Sequence, residues 1–365
     1  MSSTYQNQIS RQCLDKITEL QEKLPAFCRD YINAVMRTKA WRTMRTYLER
    51  DLVFFRYLVK NHSFFMDKDI CDIHICDLEH ITLNDANAFL NSLYVSQADN
   101  DRQGDSNNTV DAYASALNSL FGWLRLHAGL NSNPFADVER RHRKEDHPVF
   151  LRGKENITFY EGILSGAGLT EKQLQYREKQ HTAYRDYLIC RIVGTTGIRV
   201  SELVGLDVQD MDLTNKCFYV IRKGHIKENE VYFSDELAQE ISYYLDEERP
   251  LFSPAADEDA MFLVAQGKYK GKRLSVKSVE TMVKRYAMAQ GIQDAADFTV
   301  HKLRHTYAVN TLRAEGNLRL TQQLLGHKDI STTTIYARML ESDIKNARSL
   351  GEYREEKESK EKDGN

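Results

Sequence analysis

The sequence predicts a mainly α protein in two domains, with one small β-hairpin. Three observations carry that expectation. The 365 residues exceed the ~150 usual for one domain, apolar residues recur at three- and four-residue steps over long stretches, and a single pair of short β-rich runs flanks a polar, glycine-containing turn. Hydrophobic residues at 41%, aromatics at 10% and charged residues at 28% supply enough apolar material for packed cores and exclude disorder over most of the chain.

In the first part, Trp41, Met44, Leu48, Leu52, Phe55 and Val59 fall on one helical face, and Val110, Tyr113, Leu117, Leu120 and Leu124 fall on another. Both series mark amphipathic helices. Between them Ser96 to Asn108 (SQADNDRQGDSNN) is almost free of apolar residues and reads as a mobile connection. Arg37, Lys39, Arg42 and Arg45 cluster near the start of the first helix; taken alone, such a charge run reads first as a solvated face. A break at Asn131 to Pro134 is followed by Arg140, Arg141, His142, Arg143 and Lys144 ahead of Pro148, without hydrophobic period. This segment reads as an interdomain linker whose composition suits a path across phosphates. The expected division is a helical domain over 1–135, a basic linker over 136–155, a second domain over 156–350 and a charged tail over 351–365.

The second part mixes helices with short strands. Tyr184 to Val193 is an apolar helical stretch that runs into Gly194 to Gly197, and a new helix is expected near Arg199. Cys217 to Arg222 and Glu230 to Phe233 read as the strands of a hairpin closed by Lys223 to Asn229. From Asp297 onward the pattern is helical again, punctuated by Gly316 and Gly326.

Composition narrows the function classes. The longest aliphatic or aromatic runs, such as Ala260 to Ala265, are too short to span a bilayer, and the first residues hold no signal-like apolar core, so a cytoplasmic protein is expected. Six scattered cysteines suggest free thiols in a reducing compartment, and Cys71, Cys76, His74 and His80 lack the paired spacing of a zinc site; no metal or cofactor is expected. Net charge is -3, and the acidic tail carries four basic against six acidic residues. Any nucleic-acid surface must therefore come from basic residues gathered on one side.

Chemistry is carried by the joint order of several short segments. These are Thr196-Gly197-Ile198-Arg199-Val200-Ser201-Glu202-Leu203, Lys223 in the hairpin, His301-Lys302-Leu303-Arg304-His305, Leu325-Gly326-His327, and Tyr336. Residues three apart share a helical face, so Arg199 pairs with Glu202 and His301 with Arg304. Two guanidinium groups then point at one spot, for which a phosphodiester is the natural guest. His327 and Tyr336 are nine apart and would face opposite ways on one unbroken helix, so the chain is expected to break at Gly326 and the run after it.

The wording T-G-I-R-V-S-E-L, H-K-L-R-H-T, L-L-G-H and T-T-T-I-Y resembles that of the tyrosine recombinases, the phage-integrase family, and is most similar to Xer-type members. The likeness spans about Thr182 to Leu350. It implies a helical core-binding domain and a mixed α/β catalytic domain that clamp double-stranded DNA at a specific recombination site. Four copies would act on two such sites, in the bacterial cytoplasm with the nucleoid. By resemblance Tyr336 is the nucleophile, leaving a 3′-phosphotyrosyl bond and a free 5′-hydroxyl without ATP or metal. Arg199 and Arg304 would clamp the phosphate oxygens, with His327 adding a hydrogen bond. Lys223, preferred over Lys227, would protonate the departing oxygen, and His301 would accept the phenolic proton. Glu202 would hold Arg199 and His301, while His305 and Thr306 fall to the core or to support of the site.

Candidate DNA contacts are Arg42, Arg45, Arg140, Arg141, Arg143 and Lys144. The helices Trp41 to Leu58 and Val110 to Leu124 and the segment Ser275 to Arg285 would grip the grooves. Leu340 to Tyr353 would form a helix packed on its own subunit or on a neighbour. The cellular task stays open between chromosome dimer resolution and the integration or excision of a mobile element. Two rivals come from other classes: a DNA-binding regulator without catalysis, and a metal-dependent nuclease using Asp207, Asp210 and Asp212.

Overall fold

The computed structural model describes residues 3–95, 107–140, 150–151, 155–221, 229–255 and 258–326. It divides into two compact units, one within 3–146 and one from 147 onward. The fold is mainly helical with one small antiparallel sheet.

The first unit holds α1 (Ser3–Gln21), α2 (Ala26–Val35), α3 (Trp41–Asn61), α4 (Leu83–Val95) and α5 (Asn107–His127), with short helical turns over Ile70–Asp72 and Ile75–His80. The apolar stripe read in the sequence is the buried face of α3: Met44, Leu48, Leu52, Phe55 and Leu58 all lie in the core. Phe54, one position off that stripe, is central to it. Its ring lies 5.0 Å from Phe89, 6.0 Å from Phe121 and 5.2 Å from Phe135, in edge-on contacts favoured by the ring quadrupole. Phe135 reaches this cluster because Asn133 forms a turn: its side-chain amide donates to Asn118 Oδ1 at 2.7 Å while its Oδ1 accepts from the Phe135 N–H at 3.0 Å. The Asn-Pro break therefore returns the chain to the core.

Helix α5 begins at Asn107, so the last two residues of the expected polar connection are helical. Polar side chains suit a first turn, where backbone N–H groups have no helical acceptor, and composition alone could not separate them from a loop. Residues 96–106 lie outside the described residues.

The second unit comprises α6 (Glu155–Ser165), α7 (Glu171–Lys179), α8 (Thr182–Thr196), α9 (Val200–Leu203), β1 (Met211–Asp212), β2 (Cys217–Val220), β3 (Asn229–Tyr232), α10 (Asp235–Tyr243), α11 (Val276–Ala289), α12 (Val300–Glu315) and α13 (Leu318–Leu325). The sheet order is β1-β2-β3, with Met211 opposite Phe218 and Cys217 opposite Tyr232. The hairpin read in the sequence is β2 and β3, and its turn, 222–228, lies outside the described residues. Strand β1 is an addition; two residues are too few for alternation to register.

Helices α8 and α12 form the centre of this unit. Leu188, Ile189, Ile192 and Val193 of α8 are buried, as are Val300, Leu303, Ala308, Val309 and Leu312 of α12. Packing begins ahead of α6, because Phe150 and Leu151 are already buried, Phe150 among Ala308, Val309, Leu312 and Leu325. Among the described residues no helix is long and apolar enough to cross a membrane.

Replacing Phe54 removes a fully buried ring with several aromatic neighbours. Phe54→Ala is expected to cost about 3–5 kcal/mol, read as a lower urea midpoint for the transition of the first unit.

Candidate active site

Helix α8 ends where Gly197 takes the left-handed conformation, φ 66° and ψ 20°. Only glycine fits without strain, and a β-carbon there would also collide with the ring of Tyr307. The chain then leaves through buried Ile198 into Arg199, which is extended (φ -77°, ψ 149°) and caps α9. Arg199 and Glu202 thus meet across a helix start rather than within a helix. The Glu202 carboxylate accepts two bonds from this one residue: from the Arg199 N–H at 2.9 Å and from its guanidinium at 2.9 Å. Glu202 is buried while Arg199 keeps part of its surface open. The carboxylate satisfies an unpaired first-turn N–H and holds the guanidinium with a charge-assisted bond.

His301 rises from the first turn of α12 and Arg304 from the start of the second. Arg304 is buried, and its guanidinium donates to the Gly197 carbonyl and, at 2.7 Å, to the Leu325 carbonyl. These acceptors end α8 and α13, where the helix dipole concentrates partial negative charge. The carbonyl of Leu325 is presented because α13 stops there: Gly326 adopts φ 62° and ψ 42°, the break expected from the sequence.

His301 stands on the exposed side of α12, with its ring 6.3 Å from that of His305. Partial loss of water, then the charges of Arg304 and Arg199, hold its pKa below the ordinary imidazole value; Glu280 and Glu202 oppose this without reversing it. Its place in the first turn, at the positive end of α12, acts in the same direction. Both guanidinium groups thus act on one imidazole and disfavour its protonated form, leaving the neutral form, which can accept a proton, more favoured than in a free imidazole.

Of the site residues read from the sequence, the fold brings together Arg199, Glu202, His301 and Arg304. Lys223, His327 and Tyr336 lie outside the described residues, as do Arg141, Arg143, Lys144 and the segment Leu340 to Tyr353. Arg42 and Arg140 are exposed, whereas Arg45 is partly covered and pairs with Glu49 at 3.3 Å. On α11, Lys277, Thr281 and Lys284 share an exposed face, but Arg285 turns inward to Asp186 at 3.4 Å. The acidic run is structural. Asp210 accepts from the Asp207 N–H at 2.9 Å, Asp207 pairs with Arg273, and Asp212 accepts from the Asn215 N–H at 2.8 Å. Among the described residues no group of three or more His, Cys, Asp or Glu side chains is arranged to hold a metal ion.

Sequence reasoning missed the carbonyls of Gly197 and Leu325, which hold Arg304, and left Thr306 without a definite task. Backbone acceptors have no sequence signature. The only available hint was glycine just after each helix.

The model of the phage integrase family matches residues 170–342. A tyrosine recombinase XerC of Vibrio vulnificus is 31% identical over 238 residues, covering 65% of this chain and 68% of the relative. A tyrosine recombinase XerS of Streptococcus thermophilus is 28% identical over 365 residues, covering 92% of this chain and 97% of the relative. Among solved structures, a XerH site-specific recombinase described as bound to palindromic difH substrate in a post-cleavage complex has TM-score 0.63 at 21% identity, covering 95% of this chain and 89% of that one; at that identity it speaks for the fold. Motif order, paired guanidinium groups beside one imidazole, and these matches lead to one assignment: the chain belongs to the phage integrase family of tyrosine recombinases, enzymes that cleave and rejoin DNA.

Proposed function

We propose that this recombinase exchanges strands of double-stranded DNA at a specific site, as an Xer-type enzyme, with Tyr336 as the nucleophile. The observation that carries the reading is the meeting of Arg199, Arg304 and His301 from parts of the chain a hundred residues apart. A phosphodiester passing through a pentacoordinate state gains negative charge on its non-bridging oxygens. Fixed guanidinium donors stabilise that charge without having to reorganise, and removing one such donor typically costs ~10²–10³ in rate. His301 accepts the phenolic proton as Tyr336 attacks phosphorus. The P–O bond to the 5′-oxygen breaks, Lys223 supplies that oxygen with a proton, and His327 adds a hydrogen bond to the phosphate. The covalent ester conserves the bond for rejoining.

The nearly neutral whole chain favours local basic patches as the grip on phosphates: Arg42 and Arg45 on α3, and Arg140, Arg141, Arg143 and Lys144 in the segment between the units. These contacts position DNA, while base edges met by other side chains would select the site. Strand exchange joins two duplexes, so the working form is a homotetramer on two sites, in the cytoplasm. The Xer names of the relatives favour resolution of chromosome dimers as its task.

Two outcomes follow. With a nicked duplex carrying a site selected from random-sequence DNA, the parent protein should form a covalent adduct and Tyr336→Phe none, while both bind the duplex within about twofold, because a phenolic hydroxyl adds little to phosphate affinity. An adduct formed by Tyr336→Phe excludes that nucleophile. In nuclear magnetic resonance titration, His301 should charge with a midpoint below the ordinary ~6.5. The cleavage rate should then fall as pH drops through that midpoint, because protonation removes the acceptor. Arg199→Ala should raise the midpoint by deleting a neighbouring positive charge; an unchanged midpoint would separate Arg199 from the imidazole.

A further inference from the structure

Thr306 follows the H-K-L-R-H motif and is fully buried. Its hydroxyl donates to the Lys302 carbonyl one turn back at 2.9 Å. The same oxygen accepts from the backbone N–H of Leu151 at 3.0 Å, across 155 positions of sequence. A helix-buried threonine normally needs only the first bond. The second ties it to the point where the chain arriving from the first unit enters the catalytic unit. Beside it, Phe150 is buried with Ala308, Val309 and Leu312 of α12 and with Leu325 of α13, and the Arg313 guanidinium lies over its ring, 5.3 Å from the centroid.

Leu325 supplies one of the two carbonyls that hold Arg304, and Thr306 lies two residues beyond Arg304 on the same helix. The entering chain therefore bonds to α12, which carries Arg304, and shares one core cluster with Leu325 of α13, which anchors it. The bond is also needed in its own right, since a buried N–H at Leu151 without an acceptor would be costly.

We infer that Thr306 and Phe150 are positioning residues that fix Arg304 through the chain at Phe150 and Leu151. A displacement of these two residues is passed to α12 through the Thr306 hydroxyl and to the cluster that includes Leu325 through the ring of Phe150. The phosphate pocket keeps its reactive geometry while Phe150 and Leu151 hold these places. Small displacements of a charge donor are enough, because misplacement by about an ångström can cost ~10²-fold in rate. Thr306 touches no reacting atom. The inference rests on the proposed function.

The experiment uses the full chain and the same nicked duplex, and measures first-step cleavage at saturating protein alongside the dissociation constant. Thr306→Val keeps the shape and removes the hydroxyl. It should slow cleavage about tenfold or more with binding within about twofold, and Thr306→Ser, which restores the hydroxyl, should recover at least half of the parent rate. Phe150→Ala should slow the same step, and the double variant with Thr306→Val should lose less than the product of the single effects, as expected for two groups acting on one element. Cleavage by Thr306→Val within twofold of the parent, or a defect that Thr306→Ser does not repair, overturns the inference. If Thr306→Val does not fold, Phe150→Ala decides, and an unaltered cleavage rate in that variant overturns it. A parent that forms no adduct overturns the proposed function and this inference together, whereas an active parent beside an equally active Thr306→Val overturns this inference alone.

Discussion

A guanidinium removed from water must find acceptors, and the catalytic unit is arranged around that need at Arg304. Burial of an uncompensated charge costs several kcal/mol. Here the ends of α8 and α13 supply carbonyls, at Gly197 and Leu325, and the partial negative charge of two helix termini falls on one cation. The left-handed glycines that follow are part of the same solution, because each stops its helix at the position where a carbonyl can face Arg304. A cation fixed in this way is preorganised, as the proposed stabilisation of a phosphoryl transition state requires.

The other charged groups take their states from this centre. Arg199 is held by a buried carboxylate rather than by carbonyls, and keeps an open side. Burial, then the positive charges of Arg304 and Arg199, lowers the pKa of His301 at the start of α12. The lowered pKa of His301 and the fixing of Arg304 are thus consequences of one arrangement. The acidic run nearby serves a different end: Asp207 and Asp210 cap a turn, and Arg273, which pairs with Asp207, also donates to the carbonyls of Val204 and Leu206. Those carboxylates are engaged in holding the loop after α9, which removes the basis for a metal-dependent nuclease built on them.

The first unit is organised by apolar packing, with Phe54 joining α3, α4 and α5 to the returning Phe135. Its basic side chains lie at the edge of this core rather than within it. A chain with net charge of only -3 can still bind a polyanion if its cations are gathered locally, since exposed charges act over roughly 8 Å at physiological salt.

Sequence alone determined the helical stripes of α3 and α5, the β2–β3 hairpin, the glycine that ends the helix after Leu325, and the choice of Arg199, Glu202, His301 and Arg304 as residues the fold brings together. Periodicity and motif order are local properties, and both are written directly in the chain. Tertiary structure decided what local pattern cannot express. It set which carbonyls hold Arg304, that Glu202 grips both the backbone and the side chain of Arg199, that Arg285 reaches Asp186, that Phe135 folds back, and that Thr306 receives the N–H of Leu151. Each of these depends on a partner far away in sequence, chosen by burial: once water is excluded, every polar group must bond to whatever the packing of distant segments brings within reach.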